Sequence, residues 1–115
     1  MVVAFDIDGT LAQAPFLPNN VRQMAPKPEM IRLLRTLSRA GIQIMIVTAR
    51  PERYRADTEW WLRRQAIPYR ILRMRRGGDN RPDPALRAEQ VADATILFDD
   101  KPENCAQAGV RCVKV

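Results

Sequence analysis

Three stretches of this chain, Val2–Phe5, Ile42–Val47 and Thr95–Phe98, are short and largely apolar, and each passes directly into polar residues able to carry chemistry. Such runs are too short for buried helices and lack the strict alternation of a half-solvated strand. They fit strands buried on both faces, as in a parallel sheet. Helical segments separate them. Pro28 opens a helix whose apolar residues Met30, Ile31, Leu34 and Leu37 share one stripe, and Gly41 closes it. A second helix runs through Tyr54, Trp61 and Leu62 and stops before Pro68. Tyr69–Met74 alternates apolar and basic residues like an edge strand with one wet face. Asp83 and Pro84 make an N-cap and first-turn pair for a helix through Leu86 and Val91. A last helix starts at Pro102 and ends at Gly109, ahead of a strand over Val110–Val113. Strands alternating with helices predict right-handed crossovers and an α/β, Rossmann-like open parallel sheet of five strands with helices on both faces. The 115 residues fit one domain over 1–115. In such sheets ligands bind beyond the carboxyl ends of strands, where the winding reverses.

The residues at those ends are Asp6-Ile7-Asp8-Gly9-Thr10, Thr48-Ala49-Arg50 and Asp99-Asp100. Two acid pairs meeting at one place repel unless a cation or proton intervenes. A hard divalent ion with oxygen ligands, Mg²⁺, satisfies them. A lone Asp-x-Asp would read as a solvated loop or a helix cap; three such ends after buried strands do not. The chain has no histidine, which excludes Ser-His and Cys-His nucleophile systems, histidine phosphatases and His-ligated zinc hydrolases. Cys105 and Arg111 have the spacing of a cysteine-dependent phosphatase loop, but they lead from a helix into a strand, the wrong direction for backbone N–H groups to face a phosphate. Cys105 and Cys112 are therefore expected to be buried free thiols. No segment approaches the ~20 apolar residues of a membrane span, and a cytoplasmic location is expected.

Nineteen Lys and Arg stand against thirteen Asp and Glu, a net charge of +6. Without Asp6, Asp8, Asp99 and Asp100 the balance is nineteen to nine, an excess of +10 on the rest of the chain. That surface suits an anionic partner, nucleic acid above all. Codon bias is the competing explanation, since sixteen of the nineteen cations are arginine.

The four segments together resemble the haloacid dehalogenase-like (HAD) phosphatase superfamily. Asp6-Ile7-Asp8-Gly9-Thr10 is similar to its first motif, Thr48 to its second, Arg87 to its third and Asp99-Asp100 to its fourth, in the correct order. Within it, Phe5 to Ala12, Thr48-Ala49-Arg50, Gly78 to Asp83 and Phe98 to Cys112 resemble the 3′-phosphatase domain of phage polynucleotide kinase/phosphatase. The resemblance implies strand order three, two, one, four, five. It makes Asp6 the nucleophile that forms an aspartyl-phosphate, and Asp8 the acid and base. It implies Mg²⁺ on Asp6, the Asp8 carbonyl and Asp99, with Asp100 direct or one shell out. Thr48, Ala49, Arg50 and Arg87 would hold the phosphoryl group. Arg87 stands where lysine is more common. The kinase/phosphatase relatives also carry an arginine in the loop after the first motif; the stretch Gln13–Ala25 is shorter here and offers Arg22. Asp83 and a patch of Arg73, Arg75, Arg76 and Arg81 are candidates for the rest of the substrate.

Superfamily members acting on small metabolites usually carry a cap domain, for which neither Gln13–Val47 nor Arg50–Arg87 has room. An open site needs a large substrate, or a neighbouring subunit, to exclude water. Three readings follow: a polynucleotide 3′-phosphatase acting on nucleic-acid ends beside a separate kinase or ligase, a small-molecule (nucleotide) phosphatase working as an oligomer, and a silent binding module.

Overall fold

Val2 to Asp6 forms strand β1 because every side chain from Val3 onward is excluded from solvent. The computed structural model describes residues 1–115, and no helix in it is long and apolar enough to cross a membrane. After β1 come helix α1 (Pro28–Arg39), β2 (Gln43–Pro51), α2 (Arg55–Arg64), β3 (Ile71–Arg75), α3 (Asp83–Gln90), β4 (Ile96–Asp99), α4 (Pro102–Gln107) and β5 (Arg111–Lys114). Short 3-10 turns occupy Val21–Gln23 and Glu52–Tyr54. All five strands are parallel, in the order β3-β2-β1-β4-β5, so the winding reverses between β1 and β4. The expected open sheet and strand order are found.

The pleat sorts the core into two layers. Val3, Phe5, Ile44 and Ile46 face α1 and α2, where they meet Ile31, Leu34, Trp61 and Leu62. Ala4, Met45, Val47 and Leu97 face α3 and α4 and meet Val91 and Ala108. Asp6 continues the parity of Ala4, and Asp99 that of Leu97. Both carboxylates are thereby directed to the α3–α4 side. Because Phe5 pairs with Phe98, Asp6 and Asp99 stand on neighbouring strands at the same level.

Three local expectations need correction. β2 does not stop at Val47: it continues through Thr48-Ala49-Arg50 to Pro51, which pairs with Arg75 across an irregularity in the ladder, so the second motif lies within a strand. Asp83 is the first residue of α3, with Pro82 at the cap, because its carboxylate is drawn 2.7 Å from Arg75 of β3 and makes no cap bond. Cys105 and Cys112 are joined as a disulfide, since the short turn from α4 to β5 brings their Cα atoms to 5.3 Å, within bridging range. The intervals on either side of β2 hold only the loop, turns, helices and strand described, with no inserted cap.

Candidate active site

The first motif leaves the sheet as a tight turn. The N–H groups of Thr10, Leu11 and Ala12 all donate to the Ile7 carbonyl, and Lys27 Nζ donates to the Gly9 carbonyl at 2.9 Å. Gly9 has φ of +92°, and a Cβ there would lie 2.0 Å from Asp100 Oδ2, so only glycine lets the turn pass the acid. Asp6, Asp99 and Asp100 each offer an oxygen within a 4.8 Å group. Burial pushes the Asp6 carboxyl well above the usual carboxylate range against the opposing pull of Arg87, and burial raises Asp99 as well.

Arg87 reaches this cluster from α3, one turn beyond Asp83. Its Nη2 donates to Asp6 Oδ1 at 3.0 Å, its Nη1 donates to Asp99 Oδ2, and its Nε donates to Gln90 Oε1 at 3.1 Å. Gln90 in turn donates to the Thr48 carbonyl at 2.9 Å. Asp99 is fixed further by the Lys101 N–H at 3.0 Å and Asn104 Nδ2 at 3.1 Å. Three carboxylates against one guanidinium leave a buried excess of negative charge. Asp100 Oδ1 is buried with no partner at all. An orphaned carboxylate oxygen beside two other acids, around a turn with no room for a side chain, fits a hard divalent cation.

Asp8 points away from that cluster. Arg50 holds it with two hydrogen bonds, Nε to Oδ2 at 3.0 Å and Nη2 to Oδ1 at 2.7 Å. The same guanidinium donates to Thr58 Oγ1 at 3.1 Å and lies 4.6 Å from the Phe16 ring centre, and its side chain is 1% exposed. The guanidinium of Arg50, a candidate phosphate ligand by sequence, is occupied by Asp8 and Thr58. Thr48 Oγ1 accepts from the Arg50 N–H at 3.1 Å.

These residues line a cleft of about 330 Å³. Its polar lining comprises Asp6, Asp8, Arg50, Asp83, Arg87, Lys101 and Asn104, beside Ala49. Ala14, Pro15, Phe16 and Pro51 add apolar lining. Lys101, Asn104 and the Ala14–Phe16 segment were missed by sequence reasoning. They belong to no motif, and only the fold brings them to the first turn.

The arginine patch does not form as a set of free cations. Arg73 grips Asp93 at 2.6 and 2.9 Å, Arg75 holds Asp83 and the carbonyls of Ala49, Asp79 and Arg81, and Arg81 pairs with Asp79 and Glu89. Arg22 pairs with Asp57 and covers Trp60. Arg76 is exposed and has no partner. None of these five lines the cleft, whereas Asp83 does. The reason is the density of acids on the facing elements, which charge counting along the chain does not register.

A family model described as the polynucleotide kinase PNKP phosphatase domain matches residues 1–103. No curated protein sequence matches the chain. Two solved structures of Pnkp1/Rnl/Hen1 assemblies contain a chain similar to this one. The first gives a TM-score of 0.88 at 23% identity over 99% of this chain, and the second, of the RNA repair complex, 0.86 at 24% over 99%. This chain spans 45% and 42% of those chains, less than half their length. D,D-heptose 1,7-bisphosphate phosphatase from B. bronchiseptica, solved with magnesium and phosphate, gives 0.70 at 15% identity, over 96% of this chain and 78% of that one. At such identities the structures establish the fold, and the family model carries the membership: the chain belongs to the family of the polynucleotide kinase PNKP phosphatase domain, among the HAD-like phosphatases.

Proposed function

We propose that this phosphatase hydrolyses phosphomonoesters through an aspartyl-phosphate on Asp6, with Mg²⁺ as its cation and a nucleic-acid 3′-phosphate end as its substrate. The observation that carries the chemistry is the grouping of Asp6, Asp99 and Asp100 within 4.8 Å, with the Asp100 oxygen unpartnered. Asp6, Asp99 and Asp100 would hold the ion, beside the Asp8 carbonyl. When bound, it supplies positive charge that keeps Asp6 ionised and offsets charge on the phosphoryl oxygens. Asp6 attacks phosphorus as the ester bond breaks, and Asp8 gives its proton to the departing oxygen. Asp8 then takes a proton from water as the oxygen of that water attacks phosphorus, freeing Asp6 and inorganic phosphate. Arg50 keeps Asp8 turned to the cleft throughout. Thr48 and the backbone after it would contact the phosphoryl group, and Arg87 would balance charge on it.

The substrate class is supported by the family match, the uncapped cleft and its apolar Ala14–Phe16 lining, which suits a nucleoside beside the phosphate. The Pnkp1/Rnl/Hen1 assemblies favour work beside a kinase or ligase. A phosphate-release panel tests the reading: 3′-phosphorylated oligonucleotides against 3′-mononucleotides and sugar phosphates, with Mg²⁺ and with EDTA. Oligonucleotide turnover that needs Mg²⁺ and vanishes in Asp6→Asn is the expected result. Turnover by a cleanly purified Asp6→Asn protein refutes the nucleophile, full activity after chelation refutes the cation, and a preference for small esters refutes the substrate.

A further inference from the structure

Gln90 ends α3, is 5% exposed, and takes no part in the motifs or in the chemistry above. Every polar atom of its side chain is engaged inside the protein. Oε1 accepts from Arg87 Nε at 3.1 Å, and Nε2 donates to the Thr48 carbonyl at 2.9 Å and to the Arg73 carbonyl at 3.3 Å. The flipped amide would set N–H against the N–H of Arg87 and oxygen against two carbonyls, so its neighbours settle the orientation. One amide thereby joins the cation of α3 to the peptide that follows Thr48 in β2. Arg73 fixes the backbone of the same residue: its Nη1 donates to the Gln90 carbonyl at 2.6 Å, one of those that a helix end leaves open.

Arg87 needs this partner because of its own chemistry. A guanidinium is a rigid plane, and here Nη1, Nη2 and Nε are held by Asp99, Asp6 and Gln90. Without Gln90 the Nε–H would be a buried donor with nothing to meet, and the plane could turn about its two carboxylate bonds. The second contact acts through a peptide plane. The C=O and N–H of a trans peptide lie in one plane on opposite sides, so holding the Thr48 oxygen sets the direction of the Ala49 N–H. We propose that Gln90 is a positioning residue for phosphoryl binding, aligning Arg87 and the Thr48–Ala49 peptide as one unit. The inference rests on the reading above that Arg87, Thr48 and the backbone after it contact the phosphoryl group.

The test uses p-nitrophenyl phosphate as substrate and inorganic phosphate as competing inhibitor, both in Mg²⁺, with unfolding of each variant followed by circular dichroism. Gln90→Met keeps the length of the side chain and removes its polar atoms. It is expected to lower kcat/KM roughly 100-fold and to raise the inhibition constant of phosphate. A smaller folded fraction alone would lower the apparent kcat and leave KM and that constant unchanged. Arg87→Lys removes the Nε donor, so its loss in kcat/KM is expected to be roughly 10-fold smaller in the Gln90→Met background than in wild type. Equal losses in the two backgrounds, or wild-type phosphate inhibition in Gln90→Met, overturn the role of Gln90 and leave Arg87 and Thr48 on the phosphate. Unchanged phosphate inhibition in Arg87→Gln overturns that reading and this inference with it. If Gln90→Met fails to fold, Gln90→Glu decides, since it keeps the acceptor for Arg87 and loses the donor to Thr48: weaker phosphate inhibition is expected, and inhibition as strong as in wild type overturns the proposal.

Discussion

Arg87 allows the sharpest test of the site's electrostatics. Its guanidinium bridges Asp6 and Asp99, with side-chain exposures of 3%, 7% and 0% for the three residues. Arg87→Gln removes the cation and leaves the buried carboxylates without compensation. Breaking a buried pair by deleting one partner costs about 3–5 kcal/mol, which for a chain of this size lowers the midpoint of unfolding by roughly 4 °C per kcal/mol. The loss depends on pH, with a definite sign. Burial already holds Asp6 and Asp99 above their unfolded values, so the folded state binds more protons than the unfolded one between those limits, and stability falls as pH rises through that window. Without Arg87 the window extends upward, because the lowering influence has gone. The deficit of Arg87→Gln in EDTA is therefore larger at pH 8 than at pH 5. Saturating Mg²⁺ replaces the missing charge and stabilises the variant more than wild type. Urea unfolding in EDTA at both pH values, repeated with Mg²⁺, measures all three effects. A deficit within about 1 kcal/mol of zero at pH 8, or one equal at both pH values, refutes this account.

Two further perturbations follow from the same geometry. Gly9→Ala forces a Cβ to 2.0 Å from Asp100 Oδ2 at φ of +92°, so it should cost about 1–3 kcal/mol and weaken Mg²⁺ binding; wild-type affinity by calorimetry would count against the placement of Asp100. Replacing Cys105 and Cys112 together by alanine removes a bridge across a sequence separation of 7, worth about 2.5 kcal/mol in a chain-entropy account. A shift under about 1 kcal/mol, read from urea midpoints under non-reducing conditions, would mean the bridge adds nothing to folding.

How far the site was legible in the sequence depends on how local each determinant is. Strand β1 and its acids were legible because Val3, Ala4 and Phe5 are contiguous and the next residues sit at the strand's end by necessity. The meeting of Asp6 with Asp99 followed from parallel topology and the winding switch. Arg87 was legible through helical reach from one turn beyond Asp83. The pairing of Asp8 with Arg50 was not, because Arg50 was assigned with its own motif to the phosphate and only the side-chain directions show it bonded to the other motif's acid. Asn104 and Lys101 follow the fourth motif by a few residues, but nothing in their identity marks them until α4 turns back over Asp99. The disulfide was misjudged for a similar reason: two cysteines seven residues apart read as thiols until a short turn brings them together.

The placement of the arginines changes what salt should do to substrate binding. An excess of +10 outside the four motif acids suggests many phosphate contacts along a bound strand. Yet Arg73, Arg75, Arg81 and Arg22 are each paired with carboxylates, and freeing one for a phosphate means breaking those pairs. Their charge still contributes to the field around the molecule, since pairing does not alter the net +6, so steering of an anionic substrate persists. Counterion release, however, counts direct neutralisation of phosphates. The cations left for that in the loops after β2, β3 and β4, on the side of the cleft, are few: Arg76, Arg53, which lies over Tyr54 beside the Phe16 wall, and Lys101, whose Nζ is 3.8 Å from Asp83 in a loose pair. Three contacts at about 0.7 per phosphate of single strand give a slope near −2 for log affinity against log salt. Fluorescence anisotropy of a labelled 3′-phosphorylated single strand on the Asp6→Asn protein measures it across a salt series. Neutralising Arg53, Arg76 and Lys101 together should flatten the slope, and neutralising Arg73 and Arg81 should leave it nearly unchanged. A slope of −5 or steeper in the parent, or one that falls when Arg73 and Arg81 are replaced, would show that the internal pairs open on the nucleic acid and that the patch, not the cleft, holds the strand.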